Sequence, residues 1–417
     1  MIRAAIINAV YPPEPVVSAQ MGRDLAGQLA QEGARVTVLC PFPSRPIGAD
    51  YAGFRPSDAP RVDRENGVEV VRLPSFRAPQ SRLLARMRES FSFGRNVCRY
   101  LAQQLADVDV IYANTWPLFS QALIARHCTR RGIPLVFHIK DIYPESMLGR
   151  LPGFGRKLVA WSLTALDRWT TGRAARVVVI SENMRRTYVE NRGLMSGKVV
   201  TVLDWVDEHR FERLPERSKA CAQYGVPEDR FTFLYLGNIG PVAGVELLIE
   251  AFHTARLPQA QLVIAGDGSA KAACVGRARS LGAGEVRFIS DLEAGNVPFL
   301  QSLGHVCLLP LRKSAGMSSI PSKLMAYLLS AKPVLATVDA ESDTARTVLE
   351  AQCGWVGEPE DVPGLAEKMR DVAAVPAAEL DRIGQRGRSY GLAHYSKAVG
   401  VRKLADTVLS AATNHRP

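Results

Sequence analysis

Tyr235-Leu236-Gly237-Asn238-Ile239-Gly240-Pro241-Val242-Ala243-Gly244-Val245-Glu246 is a strand ending that breaks into three spaced glycines. The apolar run Phe231 to Leu236 leads into it, and an amphipathic stretch from Leu247 to Arg256 follows. Glycines at such a turn let backbone amides approach an anion, and a helix N-terminus adds partial positive charge. A purely structural turn has the same composition, so this segment alone leaves both readings open. Its order of strand, glycine turn and helix is the unit of a parallel sheet covered by helices.

The same unit recurs on both sides. Gln261 to Ala265 runs into Gly266-Asp267-Gly268-Ser269, with Ser269 placed as an N-cap, and Val286 to Ile289, Val306 to Leu309 and Pro333 to Thr337 are again short and apolar. Upstream, Ile2 to Val10, Arg35 to Cys40, Val68 to Leu73, Val108 to Ala113, Leu135 to Ile139 and Val177 to Ile180 read as strands. Ser18 to Glu32, Leu83 to Leu105, Leu118 to Arg131 and Lys157 to Arg173 read as helices between them. Several of the strands lack period-two alternation, which implies burial on both faces. The expectation is an α/β chain with two Rossmann-like domains facing across a cleft at the C-terminal ends of their strands. Residues 1–206 form the first and 207–394 the second, joined through the charge-dense Trp205 to Lys219. Residues 395–417 carry a last helical pattern expected to pack back on the first domain.

Composition narrows the class. The 417 residues carry 52 Lys+Arg against 41 Asp+Glu, a net charge of +11, with 47% hydrophobic and 22% charged residues. That is the profile of a soluble globular protein and excludes wholesale disorder. The seven cysteines are scattered without a C-x-x-C pair and read as buried thiols of a reducing cytoplasm. Ala4 to Val10 is followed by Tyr11-Pro12-Pro13, which marks a first strand and not a signal peptide. The best apolar window, Leu158 to Leu166, is bracketed by Lys157 and Asp167, too short to span a membrane.

A third loop carries chemistry. After Leu309, the segment from Arg312-Lys313 to Ile320-Pro321-Ser322-Lys323 combines hydroxyls, small residues and cations before a helix starting near Ser322. Such a loop wraps a diphosphate with backbone amides while Lys323, Arg312 or Lys313 supplies charge. A solvated basic loop has the same appearance.

The ordered set Tyr11-Pro12-Pro13-Glu14, Pro41 to Pro46, Lys140-Asp141-Ile142-Tyr143-Pro144-Glu145-Ser146, Gly237 to Gly244, Gly266-Asp267-Gly268 and Pro321-Ser322-Lys323-Leu324 resembles bacterial GT-B glycosyltransferases of family 4. Within that family it is similar to the colanic-acid and O-antigen enzymes. The resemblance implies a retaining, metal-independent transferase without cofactor. Its substrates are a nucleotide-diphosphate sugar, UDP-linked by preference, and a lipid-linked saccharide such as a polyprenyl-diphosphate acceptor. It places the donor diphosphate against Gly237, Asn238, Ile239, Gly240 and Lys323, and the donor sugar near Met317, Ser318, Ser319 and Ile320. The base and ribose fall around Ser290, Leu292 and the helix after Ser322, with Gly266 and Ser322 among the donor-binding residues and Arg312 as a second cation. Lys140 and Asp141 stand where relatives keep a His-Asp pair near the reacting sugar, so the catalytic candidates are Asp141, Lys140 and Lys323. His138, Asp141 and Glu145 border the acceptor.

The chain also departs from the family pattern. Asn238 and Ala243 replace an Arg and a Lys, Ser318 and Ala326 replace two glutamates, and Val16-Val17 replaces a glycine pair. These changes keep open a non-catalytic GT-B subunit and a nucleotide-sugar epimerase.

Other constellations carry less. Asp107-Val108-Asp109 has a metal-binding form but begins a strand, at the wrong end of the sheet, and the seven histidines show no paired ligand spacing. The turn after the first strand lacks G-x-G-x-x-G, which disfavours a nicotinamide enzyme. Arg72 to Arg99 carries seven arginines, among them Arg82, Arg86 and Arg88, against one acid, Glu89. A basic amphipathic helix of this kind can lie on an anionic leaflet, here the inner face of the cytoplasmic membrane, and a solvated helix covering its own domain has the same composition. No nucleic-acid module is present. Residues 1–216 hold +9 of the net charge and 217–417 only +2.

Overall fold

The computed structural model describes residues 1–45, 51, 53–55, 57–77, 83–115, 118–142, 156–290, 294–317 and 320–414. The chain divides into two compact units, Met1–Val202 with Gly400–Pro417, and Leu203–Val399. The first boundary thus falls at Val202 where the sequence sets it at 206, and the return to unit 1 falls at Gly400, inside the last helix and not before it.

Unit 1 runs β1 (Arg3–Asn8), α1 (Val17–Gln31), β2 (Arg35–Pro41), β3 (Arg61–Glu65), β4 (Val68–Leu73), α2 (Leu83–Gln104), β5 (Val110–Asn114), α3 (Phe119–Arg131), β6 (Leu135–Ile139), α4 (Arg156–Gly172), β7 (Arg176–Val179), α5 (Glu182–Arg186) and β8 (Val199–Thr201). Its sheet order is β3-β4-β2-β1-β5-β6-β7-β8, parallel except for β3. Central β1 pairs with β2 and β5 in the registers Ala4↔Val36 and Ala4↔Val110. From β4 onward every crossover moves in one direction along the sheet, and right-handed connections therefore put α2, α3 and α4 on one face. Phe93, Val97 and Leu101 of α2 and Ile124 of α3 fill that core with Ile7, Ala113 and Phe137. The connection through α1 runs the opposite way and covers the other face.

Unit 2 runs α6 (Arg217–Tyr224), β9 (Phe231–Leu236), α7 (Val245–Ala255), β10 (Ala260–Ala265), α8 (Lys271–Ser280), β11 (Val286–Ile289), α9 (Val297–Leu303), β12 (Val306–Pro310), α10 (Ser322–Leu329), β13 (Val334–Thr337), α11 (Asp343–Glu350), β14 (Gly354–Gly357), α12 (Val362–Ala373) and α13 (Ala377–His394). A last helix, α14 (Lys397–Thr413), closes the described chain. The sheet order is β11-β10-β9-β12-β13-β14, all parallel. Leu234, Leu236 and Val263 enter one core while Phe233, Tyr235 and Leu262 enter the other, so successive residues of β9 and β10 are buried on opposite faces. That is why these strands read as continuous apolar runs.

The sequence reading omits β3, β8 and β14. β3 is a polar, mostly exposed edge strand, joined to β4 by Asn66-Gly67 with φ of +49° and +81°. All seven cysteines are unpaired, and six are buried. Asp107 and Asp109 are engaged by Arg3 at the N-terminal edge of the sheet, through Asp107 Oδ2 at 2.9 Å from Nη1 and Asp109 Oδ2 accepting from the Arg3 amide at 2.7 Å.

Candidate functional site

In unit 2 the functional groups collect where β9, β10, β11 and β12 end. Gly237 takes φ +150°, open to glycine, and its amide donates to Ala265 O at 3.0 Å. Two residues on, the Ile239 amide donates to Asp267 O at 2.7 Å, and the Ala270 amide returns a bond to Ile239 O at 3.0 Å. The first glycine loop is thereby laced to the second. Approach is so close that a Cβ on Gly266 would stand 2.0 Å from Gly237 O, and one on Gly268 2.4 Å from Ile239 O. Gly266 and Gly268 are there to let backbone meet backbone. The lacing also divides the amides of the loop: those of Gly237 and Ile239 are spent, while those of Asn238 and Gly240 donate to no acceptor among the described residues.

Lys323 sits in the first turn of α10, whose N-cap Pro321 offers no side-chain cap. Its Nζ donates to Tyr235 Oη at 3.0 Å and lies 4.4 Å from the centre of that ring, a cation–π contact. A Cβ on Gly237 would meet Lys323 Cε and Nζ at 3.3 Å, so the ammonium runs alongside the glycine loop. Burial without a carboxylate partner among the described residues lowers its pKa to about 8. Tyr235 Oη donates onward to Asn238 O at 2.6 Å. One turn along α10, Tyr327 Oη accepts from the Leu236 amide at 3.0 Å and donates to Leu236 O at 3.2 Å, fixing the end of β9.

The remaining donor-side candidates separate. Arg312 is neutralised by Glu246 and by Glu360, the latter at 3.2 Å, so it is not an uncommitted cation. Ile320 is buried in the core of unit 2, Met317 is half-buried and Ser322 is exposed. Ser290 Oγ accepts from Lys271 Nζ at 2.8 Å, and Lys271 also pairs with Asp267 at 3.5 Å. Lys271 and Tyr235 are site residues that the sequence reading missed. Lys271 carries a signal, the (i, i+4) spacing from Asp267, whereas Tyr235 is indistinguishable in sequence from any core tyrosine of an apolar strand. Leu292, Ser318 and Ser319 lie outside the described residues.

Unit 1 gathers another set where its strands end. Glu14 is 4% exposed, its Oε2 accepting from the Tyr11 amide at 3.2 Å and its Oε1 from the Ser44 and Arg45 amides at 3.0 Å. Burial raises its carboxyl above the usual range, and those amides oppose the rise. The Tyr-Pro-Pro-Glu motif therefore staples the loop after β1 to the loop after β2. Arg72, fully buried, supports the same loop by donating to Pro12 O at 2.6 Å. It takes no part in the basic surface to which the sequence assigns it.

His138, 2% exposed, pairs through Nδ1 with Tyr112 Oη at 2.7 Å, and burial together with the Lys140 ammonium holds its pKa well below 6.5. It is a neutral imidazole within the sheet, on the face of β6 opposite the core that Phe137 and Ile139 enter. Asn8, the register partner of Asn114, is 1% exposed and packs directly on Gly22 of α1, where a Cβ would come within 1.6 Å of its amide nitrogen. Lys140 places Nζ 3.2 Å from Met21 Sδ. Asp141 reaches solvent at its edge, the protein around it raises its carboxyl, and Arg86 and Lys140 oppose that rise.

Arg86, which the sequence reading sets toward a membrane, is not on the exposed face of α2. It is half-buried and acts on both Asp141 and Glu89, because two residues along a helix is a rotation of about 200° from exposed Leu84 and Arg88. Arg88 is exposed and stacks 4.2 Å over Phe76, while Arg82 and Glu145 lie outside the described residues.

Two parallel-sheet units, one carrying laced glycine loops and a desolvated lysine at its strand ends, are the architecture of a GT-B glycosyltransferase. Residues 19–205 match the model of the glycosyl transferase 4-like domain, and residues 216–390 that of glycosyl transferases group 1. The chain belongs to the family 4 glycosyltransferases. It is 26% identical over 377 residues to Escherichia coli WcaI, described as a colanic acid biosynthesis glycosyl transferase, covering 88% of this chain and 91% of that one. WaaG, a glycosyltransferase involved in lipopolysaccharide biosynthesis, shares the fold with a TM-score of 0.67 at 18% identity, over 97% of this chain and 99% of that one. Anabaena HepE in complex with UDP and glucose gives a TM-score of 0.69 at 17% identity, over 98% and 100%.

Proposed function

We propose that this glycosyltransferase moves a sugar from a UDP-sugar to a lipid-linked saccharide, with retention, in assembly of a bacterial surface polysaccharide at the inner face of the cytoplasmic membrane. The observation that carries the reading is Lys323: a half-buried ammonium with no carboxylate partner among the described residues, beside a loop whose Asn238 and Gly240 amides meet no acceptor among them. A diphosphate supplies the negative charge that this arrangement lacks. As the sugar leaves, charge grows on the departing phosphate, and a preorganised ammonium, two amides and the α10 N-terminus stabilise it. Lys271 and Ser290 stand at the ends of neighbouring elements for the nucleoside side. No metal enters this reading, and the leaving phosphate takes the proton of the attacking hydroxyl. The polysaccharide role is supported by WcaI and WaaG, and the nucleotide by the UDP that HepE holds.

Calorimetric titration with UDP, GDP and dTDP tests the donor, with Lys323→Ala as control. Binding of UDP that weakens at least tenfold in the variant is expected, and no binding of any nucleotide defeats the reading. Proton NMR of the product anomeric centre reports retention or inversion. A second reading, a non-catalytic subunit, is favoured by the engagement of Arg312 with two glutamates and by Ala326 and Ala243 in place of charged groups. Turnover by the purified chain alone on a lipid-linked acceptor eliminates it.

A further inference from the structure

Helices α2, α3 and α4 lie side by side on one face of the unit 1 sheet. Together they contain ten lysines and arginines and only two acids, Glu89 and Asp167. Both acids are 4% exposed and turned inward, Glu89 onto Arg45 at 3.2 Å and Asp167 onto Arg192 at 3.0 Å. Among the described residues, this helical layer shows solvent no negative side chain. On α2 the exposed residues Leu84, Arg88, Phe91, Arg95 and Arg99 recur at helical spacing as one stripe. At the start of α4, beside exposed Lys157, Leu158 is 68% and Trp161 70% exposed.

Leu84, Leu158 and Trp161 have a common position. α2 ends six residues before β5 and α4 four residues before β7, so both helices run back along the sheet and their first turns stand at the end of the sheet where β6 leads into Lys140 and Asp141. Large apolar side chains grouped at the rim of an acid-free cationic layer are not explained by folding of the unit itself.

We infer that the α2–α3–α4 layer is the surface by which this protein docks on an anionic lipid bilayer, with Leu84, Leu158 and Trp161 entering the headgroup boundary. The exposed arginines hold the anionic headgroups, each worth about a fivefold gain in partitioning. A second copy is a poor occupant, because a two-fold contact sets this cationic face against itself. The inference deepens the lipid-linked acceptor reading and rests on it for purpose: an acceptor held in the leaflet is met at the edge where the candidate acceptor residues lie. It keeps Arg88 and the start of α2 in the membrane contact, takes Arg86 out of it, and adds Arg95, Arg99 and the start of α4.

The test is co-sedimentation of the full chain with phosphatidylcholine vesicles, with and without phosphatidylglycerol, at low and at 1 M salt. Pelleting only with phosphatidylglycerol, lost at 1 M salt, is expected. Leu158→Ser with Trp161→Ser should weaken partitioning at least tenfold, and Arg95→Gln with Arg99→Gln about twenty-five-fold. Thermal unfolding of each variant, followed by circular dichroism and hydrogen exchange in the β1 to β7 block, shows that unit 1 is folded, while UDP titration reads the other unit. Variants that pellet like the parent overturn the inference. So does equal pelleting with pure phosphatidylcholine, or a dimer in vesicle-free sedimentation velocity that Trp161→Ser dissolves. Tight duplex DNA binding that the vesicles fail to displace also overturns it. If UDP binds and vesicles do not, docking fails alone; if vesicles bind and no nucleotide does, the donor reading fails alone.

Discussion

Lys323 shows how a residue's chemistry departs from its type. A lysine in a polar loop titrates near 10.5; here burial against Tyr235 brings it to about 8. Below that value the free protein holds the ammonium, and a bound diphosphate stabilises it further. Above it the free protein has shed the proton, and binding must take one up. UDP affinity is therefore expected to be level below pH 8 and to fall by up to tenfold per unit above it. Lys323→Met should flatten this profile and cost about 2 kcal/mol of binding at pH 7, the worth of a hydrogen bond to a charged group. Titration calorimetry across that range, in two buffers of different ionisation heat, measures both the slope and the proton uptake; an unchanged slope in the variant refutes the assignment. Lys323 was legible in the sequence as a cation at a helix start, because composition and order mark it. Its desolvation was not, since that depends on Tyr235, which arrives from a strand almost ninety residues earlier in the chain. The pairing of Arg312 was not legible for the same reason: its two glutamates, Glu246 and Glu360, are remote in sequence.

At the scale of elements, the glycine loops are held by backbone proximity, and substitution should discriminate sharply between glycines of one unit. Gly266→Ala places a methyl 2.0 Å from Gly237 O, a backbone atom that can yield only by moving the whole loop. Overpacking of that kind costs about 1–3 kcal/mol or more, and displacement of Asn238 and Gly240 should weaken UDP binding as well. Gly276, inside α8 with nothing within 4 Å of its notional Cβ, is the contrast. Gly276→Ala should raise stability by about 1 kcal/mol through helix propensity and leave binding alone. Thermal unfolding of both variants decides the matter; equal effects would mean that the lacing is unimportant. The strands around these loops were legible because burial on both faces writes them as unbroken apolar runs. β3 was not, although Asn66-Gly67 is the turn signal for a hairpin, because the one apolar residue of Arg61–Glu65, Val62, is exposed and leaves no apolar pattern to read. Asn8 likewise passed as the polar end of an apolar run; only the approach of α1 through Gly22 makes it a buried group.

At the scale of the molecule, one hydrophobic cluster of unit 1 draws on residues 5 to 199, and two clusters of unit 2 draw on residues 203 to 395. Each unit thus has the means to unfold as its own cooperative block. The candidate nucleotide groups, Lys323, Asn238, Gly240 and Lys271, all belong to Leu203–Val399. A ligand that binds only folded unit 2 stabilises it by about 2.7 kcal/mol at one hundred times its Kd. For a unit of that length this is a rise in Tm of roughly 5–10 °C. Differential scanning calorimetry with UDP should therefore show two transitions, of which one moves up by that amount while the other stays. Hydrogen exchange then identifies the moving transition as the one that protects the amides of the β9 to β12 block. Two transitions that climb together would show that the units unfold as one. A stationary pair would place the nucleotide elsewhere and remove Lys323 from the reaction.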